Sequence, residues 1–127
     1  MSVHSFNYDS EYEPPAPVVE ITVYKAGQGV SRVVLSALID SGADATMLPI
    51  VILQTVGARH VETRRMRGVT GVAQMVDLYA VTIELGSQIV PAIWAIATLD
   101  NEVILGRDVL NQLVITLNGP AEVTEVS

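Results

Sequence analysis

The segment Ala37-Leu38-Ile39-Asp40-Ser41-Gly42-Ala43-Asp44-Ala45-Thr46-Met47-Leu48-Pro49 places a carboxylate at the end of an apolar run, followed by a small hydroxyl residue and a glycine. A carboxylate so placed can act as a general acid or base on a bound water, provided another group fills the opposite role. The triplet Asp40-Ser41-Gly42 is a weak signal alone. All three residues favour turns, and average residue frequencies produce the triplet by chance in roughly one chain in thirty of this length. A second segment, Val103-Ile104-Leu105-Gly106-Arg107-Asp108-Val109-Leu110, runs from an apolar stretch into a glycine and then a charged helix start. The chain has no cysteine, and its two histidines, His4 and His60, lie far apart. Disulfides and thiolate-bound metals are therefore excluded, and neither a metal site nor a cofactor is expected.

Short apolar runs separated by turn signals surround these segments, as in an all-β domain. Val18 to Tyr24 and Val30 to Ile39 read as paired strands across a loop at Lys25 to Gly29. Thr46 to Pro49 is a short strand, with a helical turn or two at Ile50 to Val56 ended by Gly57. Val61 to Met66 and Met75 to Leu85 read as strands joined through Gly68-Val69-Thr70-Gly71. Ile89 to Ala97, which contains Pro91, and Val103 to Leu105 follow as strands, and Arg107 to Gln112 as the second helical segment. Val114 to Leu117 and Glu122 to Val126 close the chain as a strand pair. Trp94, inside an apolar strand, is expected in the core. Residues 1–17 are acidic and end in Glu13-Pro14-Pro15-Ala16-Pro17, the composition of a flexible, extended tail. A single domain is expected over 18–127.

Half of the 127 residues are apolar and only 5% aromatic, so the core must consist of Val, Ile, Leu and Ala. The net charge of −7 argues against a nucleic-acid partner, which would call for a basic face. Four of the seven basic residues, Arg59, Arg64, Arg65 and Arg67, cluster, as on a solvated face. No apolar run is long enough to cross a membrane as a helix. No Lys or Arg precedes Lys25, unlike a secretory signal. A cytoplasmic location is the expectation.

Taken together, the two segments resemble the retropepsins, the retroviral-type aspartic proteases. That family pairs an apolar-apolar-Asp-Thr/Ser-Gly-Ala motif with a later apolar-apolar-Gly-Arg motif that opens a short helix. The resemblance extends over roughly Val18 to Val126 and implies a closed β-barrel with one or two short helices, one lobe per chain. It also implies an aspartic endopeptidase that hydrolyses peptide bonds with an activated water. Asp40 would be the catalytic aspartate, and Ser41 the residue that hydrogen-bonds across a dimer. Gly42 would give the substrate backbone room to approach. Asp44 and Arg107 would form an ion pair near the site. Asp44, Ile104 and a mobile flap at Gly68, Val69, Thr70 and Gly71 would contact substrate. The flap has fewer glycines than viral ones, and Ala45 stands where viral relatives often have a second acid.

A dimer follows from chemistry as well. Two carboxylates about 3 Å apart cannot both ionise, so they share one proton and supply acid and base together, as aspartic protease dyads do. The chain contains one such motif and lacks the length for a second lobe. A two-fold axis that sets Asp40 against Asp40 of a second copy supplies the missing group. The resemblance further implies that chain ends contribute to the interface, because family members interlock them in a shared sheet. The alternative function is a catalytically silent retropepsin-like dimerisation or peptide-binding module.

Overall fold

The computed structural model describes residues 3–27, 29–68 and 71–127. Its architecture is built from the hairpin of β2 (Val18–Lys25) and β3 (Val33–Ile39), which pair antiparallel from Val18–Leu38 to Val23–Val33. β-branched residues alternate along β2, so Val19, Ile21 and Val23 point into the core and Glu20 faces outward. The chain then passes through the Asp40 loop into β4 (Met47–Pro49) and helix α1 (Ile50–Thr55), which buries Leu53 and ends at Gly57 with φ +70°. A glycine suits that left-handed helix end.

Two long strands, β5 (Arg59–Arg67) and β6 (Ala73–Leu85), form the next hairpin, and β7 (Gln88–Thr98) pairs with β6. The register of β6 and β7 shifts between Val81 and Ile83, where Pro91 and Ala92 fall in the extra length of β7. Proline is tolerated at such a bulge because no ladder hydrogen bond is needed from its nitrogen. The two-residue strand β8 (Ile104–Leu105) runs parallel to β3 and antiparallel to β4, and helix α2 (Arg107–Leu110) follows directly. The sheet order is β2-β3-β8-β4-β7-β6-β5, and β2 also pairs with β6. That extra pairing closes six strands into a barrel and leaves β5 outside the ring. Val19, Ile21, Leu48, Leu53, Ile83, Leu85, Leu105 and Val109 fill the interior, as the aliphatic composition requires.

Three findings differ from the sequence expectation. Within the segment read as a tail, His4–Asn7 forms strand β1, and Asp9 bridges to Ala16. β1 pairs antiparallel with β10 (Val123–Val126), which pairs in turn with β9 (Ile115–Asn118), so the chain ends meet within one chain. Finally, Trp94 is 45% exposed. It sits between the buried Ile93 and Ala95, so the two-residue alternation of β7 turns it outward, where the Arg64 guanidinium lies 5.8 Å from the ring centroid.

Candidate active site

Strand β3 ends at Ile39, and Asp40 is the first residue beyond it. Its amide donates to the Leu105 carbonyl (3.1 Å), continuing the parallel β3–β8 ladder into the loop. The loop then turns on itself. Gly42 N donates to Asp40 Oδ1 (2.9 Å), and Ala43 N to the Asp40 carbonyl (3.2 Å). A carboxylate that accepts from the backbone two residues on is a typical Asx turn, and it fixes the orientation of the Asp40 side chain. Asp40 is half-buried, while Ser41 and Gly42 are exposed.

The Gly106–Arg107 segment braces this loop from behind. Arg107 N donates to the Ala43 carbonyl (2.9 Å) and Arg107 Nη1 to the Ser41 carbonyl (2.8 Å). Arg107 Nη2 also pairs with the Asp44 carboxylate. The pair is open to solvent, with 42% of the Arg107 side chain and 72% of Asp44 accessible, so its Coulomb energy is small. Arg107 therefore acts as a clamp mainly by holding the Ser41 carbonyl. Ile104 pairs with Leu38 and Met47 and is half-buried, one residue before the carbonyl that anchors Asp40.

Two further residues belong to the brace and were not singled out from the sequence. Thr46 is fully buried, and its Oγ1 donates to Asp108 Oδ1 (2.8 Å) while accepting from Gly106 N (3.2 Å). Thr46 N also reaches both Asp108 oxygens, at 3.1 and 3.0 Å. Asp108 is the acid in the first turn of α2, and its Oδ1 accepts from Val109 N (2.9 Å). The residue types gave a hint, since an acid in the first turn of a helix complements its dipole. Their partner, 62 residues away, gave none.

The β5–β6 hairpin covers the loop. Gly68 N donates to the Val72 carbonyl (3.2 Å), and Gly71 N to the Gly68 carbonyl (3.0 Å), with Gly71 at φ +80°. Val69 and Thr70, expected at the flap tip, lie outside the described residues. A cleft of about 330 Å³ opens between hairpin and loop, lined on one side by Gly42 to Ala45 and on the other by Met66, Arg67, Gly68, Gln74 and Val76. It continues beside Met47 and Ile96 towards a larger hollow of about 740 Å³, which Asp77 and Asp100 border. Asp44, Gly42 and Gly68 thus share one cleft. At the larger hollow's border, Thr63 and then His60 hydrogen-bond to Asp77 and hold its carboxyl below the usual range.

The profile of the retroviral aspartyl protease family matches residues 13–118. The chain belongs to that family. Among solved structures, the EIAV protease complexed with the inhibitor HBY-793 superposes with a TM-score of 0.62 at 21% identity, covering 84% of this chain and 93% of that one. A retropepsin-like aspartic protease from Rickettsia conorii superposes with a TM-score of 0.60 at 12% identity, covering 98% and 91%. These likenesses establish the retropepsin-like fold. No curated protein sequence matches the chain.

Proposed function

We propose that the protein is an aspartic endopeptidase whose site forms when two copies bring their Asp40 carboxylates together across a two-fold axis. The observation that carries this reading is the braced Asp40 loop facing a hairpin-covered cleft, in a chain of the retroviral aspartyl protease family. Of the two carboxylates, one is protonated and one ionised, because repulsion opposes a double charge. The ionised group takes a proton from the water held between them as that water attacks the peptide carbonyl. The protonated group donates to the carbonyl oxygen, and the resulting tetrahedral species collapses when the amine leaves with a proton.

The chain's other residues serve this step in named ways. Gly42 N occupies Asp40 Oδ1 and sets the carboxylate's angle. Ser41 stands beside Asp40, towards the second copy. Asp44, exposed in the cleft, offers a carboxylate to substrate backbone amides, while Gly68 and Gly71 shape the covering hairpin. Ile104 adds an apolar wall next to the anchoring strand.

The test is incubation of the purified protein with a mixed peptide library across acidic and neutral pH. Cleavage that disappears in Asp40→Asn supports the endopeptidase. Binding of peptides without cleavage, unchanged in Asp40→Asn, would point instead to a silent peptide-binding module.

A further inference from the structure

We infer that the hollow of about 740 Å³ beyond the cleft is a specificity site for a lysine or arginine side chain of the peptide, with Asp77 and Asp100 receiving its cationic end; this rests on the reading above that a peptide lies in the cleft. The hollow sits between residues 47–50, β6 at residues 74–77 and the chain leaving β7 at residues 96–100. Met47, Gln74, Val76 and Ile96 line both it and the cleft, so the two form one continuous space. A side chain that follows this shared wall passes from the cleft beside Asp44 into the hollow.

The lining is apolar along its depth and acidic at its border. Ile96 is buried and Met47, Ile50 and Val76 are half-buried, while Met75 is 64% and Leu99 96% exposed. Large apolar side chains held so open beside a hollow offer a surface that an incoming aliphatic stem can cover. Among the described residues, the charged members of the lining are Asp77 and Asp100, both acids. Asp100 Oδ1 accepts from Glu102 N (3.1 Å) and Thr98 Oγ1 (3.3 Å). Asp77 Oδ1 accepts from Thr63 Oγ1 (2.6 Å) and His60 Nε2 (3.0 Å). Among the described residues these bonds all fall on Oδ1, so Oδ2 of each carboxylate is open to a ligand. The bonds from Thr63 and then His60 that hold the Asp77 carboxyl low also keep it ionised in mildly acidic solution.

These features select the chemistry of the occupant. Lysine and arginine lay an aliphatic stem on apolar surface while the charged head reaches polar groups beyond it. A leucine would match the walls and leave both carboxylates to water, whereas a glutamate would meet two like charges. The net charge of −7 acts in the same direction on an approaching peptide. One exposed ion pair changes affinity by up to about fivefold, so two carboxylates around one head should give about tenfold.

The test remakes one peptide, recovered from the library by cleavage or by binding, with lysine, norleucine or glutamate at each position in turn. At neutral pH we expect kcat/KM for lysine to exceed that for norleucine by about tenfold at one position or more, with glutamate below both. Binding of the same peptides to Asp40→Asn, followed by fluorescence anisotropy, reads the preference without turnover. The double substitution Asp77→Asn and Asp100→Asn keeps both Oδ1 acceptors and should bring the lysine-to-norleucine ratio to about one. Leu99→Lys, at an exposed position of the border, should turn the preference towards glutamate. A ratio near unity at every position of the wild type, or one that persists in the double variant, overturns this site and leaves the endopeptidase standing. A lysine preference in binding with no peptide cleaved keeps this site and overturns the endopeptidase. Peptides neither bound nor cleaved overturn both.

Discussion

Replacing Gly106 with alanine isolates the brace behind the Asp40 loop. Gly106 has φ −92° and ψ −176°, an extended conformation open to any residue, so the objection to a side chain there is space alone. A Cβ would lie 2.5 Å from the Ala45 carbonyl carbon, 2.7 Å from its oxygen and 3.0 Å from the Ala43 oxygen. All three are backbone atoms, so no side chain can swing aside. Relief requires the β8–α2 segment to retreat from the loop, which stretches Gly106 N to Thr46 Oγ1 (3.2 Å) and Arg107 N to the Ala43 carbonyl (2.9 Å). Overpacking costs about 1–3 kcal/mol, and each loosened hydrogen bond adds about 1 kcal/mol. A total of at least about 3 kcal/mol lowers the melting temperature of a domain this size by about 10 °C or more. Gly119→Ala is the control, since nothing lies within 4 Å of a Cβ there. Thermal unfolding followed by circular dichroism should separate the two variants by that margin. If Gly106→Ala melts within about 2 °C of Gly119→Ala, the close crossing of loop and helix start is not what holds the site.

Thr46→Val keeps the shape, strands the Gly106 amide and removes one of the several donors to the Asp108 carboxylate; it should cost about 1–3 kcal/mol in a denaturant titration. Arg107→Ala should change stability by no more than about 1 kcal/mol through its exposed ion pair, yet lower kcat by releasing the Ser41 carbonyl. A large stability loss with kcat unchanged would contradict that role. Hydrogen bonds from Tyr24 and then Arg32 hold the Glu84 carboxyl below its ordinary value. A depressed carboxylate contributes stability above the unfolded value, and this is lost as pH falls through the folded value. Glu84→Gln should therefore be the less stable protein at neutral pH and equal to wild type once Glu84 is protonated, as urea midpoints will read.

Much of the barrel was legible because its causes are local. Alternation along Val18 to Tyr24, the glycine at 57 and the turn residues between strands each dictate their own element. Helices α1 and α2 begin where an apolar run meets Pro49 and Gly106, and both could be placed from neighbouring residues. β1 could not be read that way. His-Ser-Phe-Asn carries little strand signal, and its ladder is supplied by β10, more than a hundred residues away. Trp94 was misplaced because one aromatic in an apolar run says nothing about which face of the strand it occupies. At the site, Asp40, Ser41, Gly42 and Arg107 stand in recognisable motifs. The Thr46–Asp108 contact and the backbone crossing at Gly106 exist only once two distant segments are brought together.

The central claim is that one working site needs two Asp40 carboxylates. Co-expression of wild-type and Asp40→Asn chains with different affinity tags yields mixed dimers that can be purified and assayed against the same peptide as each homodimer. Asn is nearly isosteric with Asp, so the mixed dimer should assemble normally. With one carboxylate left, no arrangement of protons supplies both an acid and a base, and the mixed dimer should be as inactive as Asp40→Asn itself. A mixed dimer that retains half of the wild-type activity would show that each chain carries a complete site, contrary to the shared dyad.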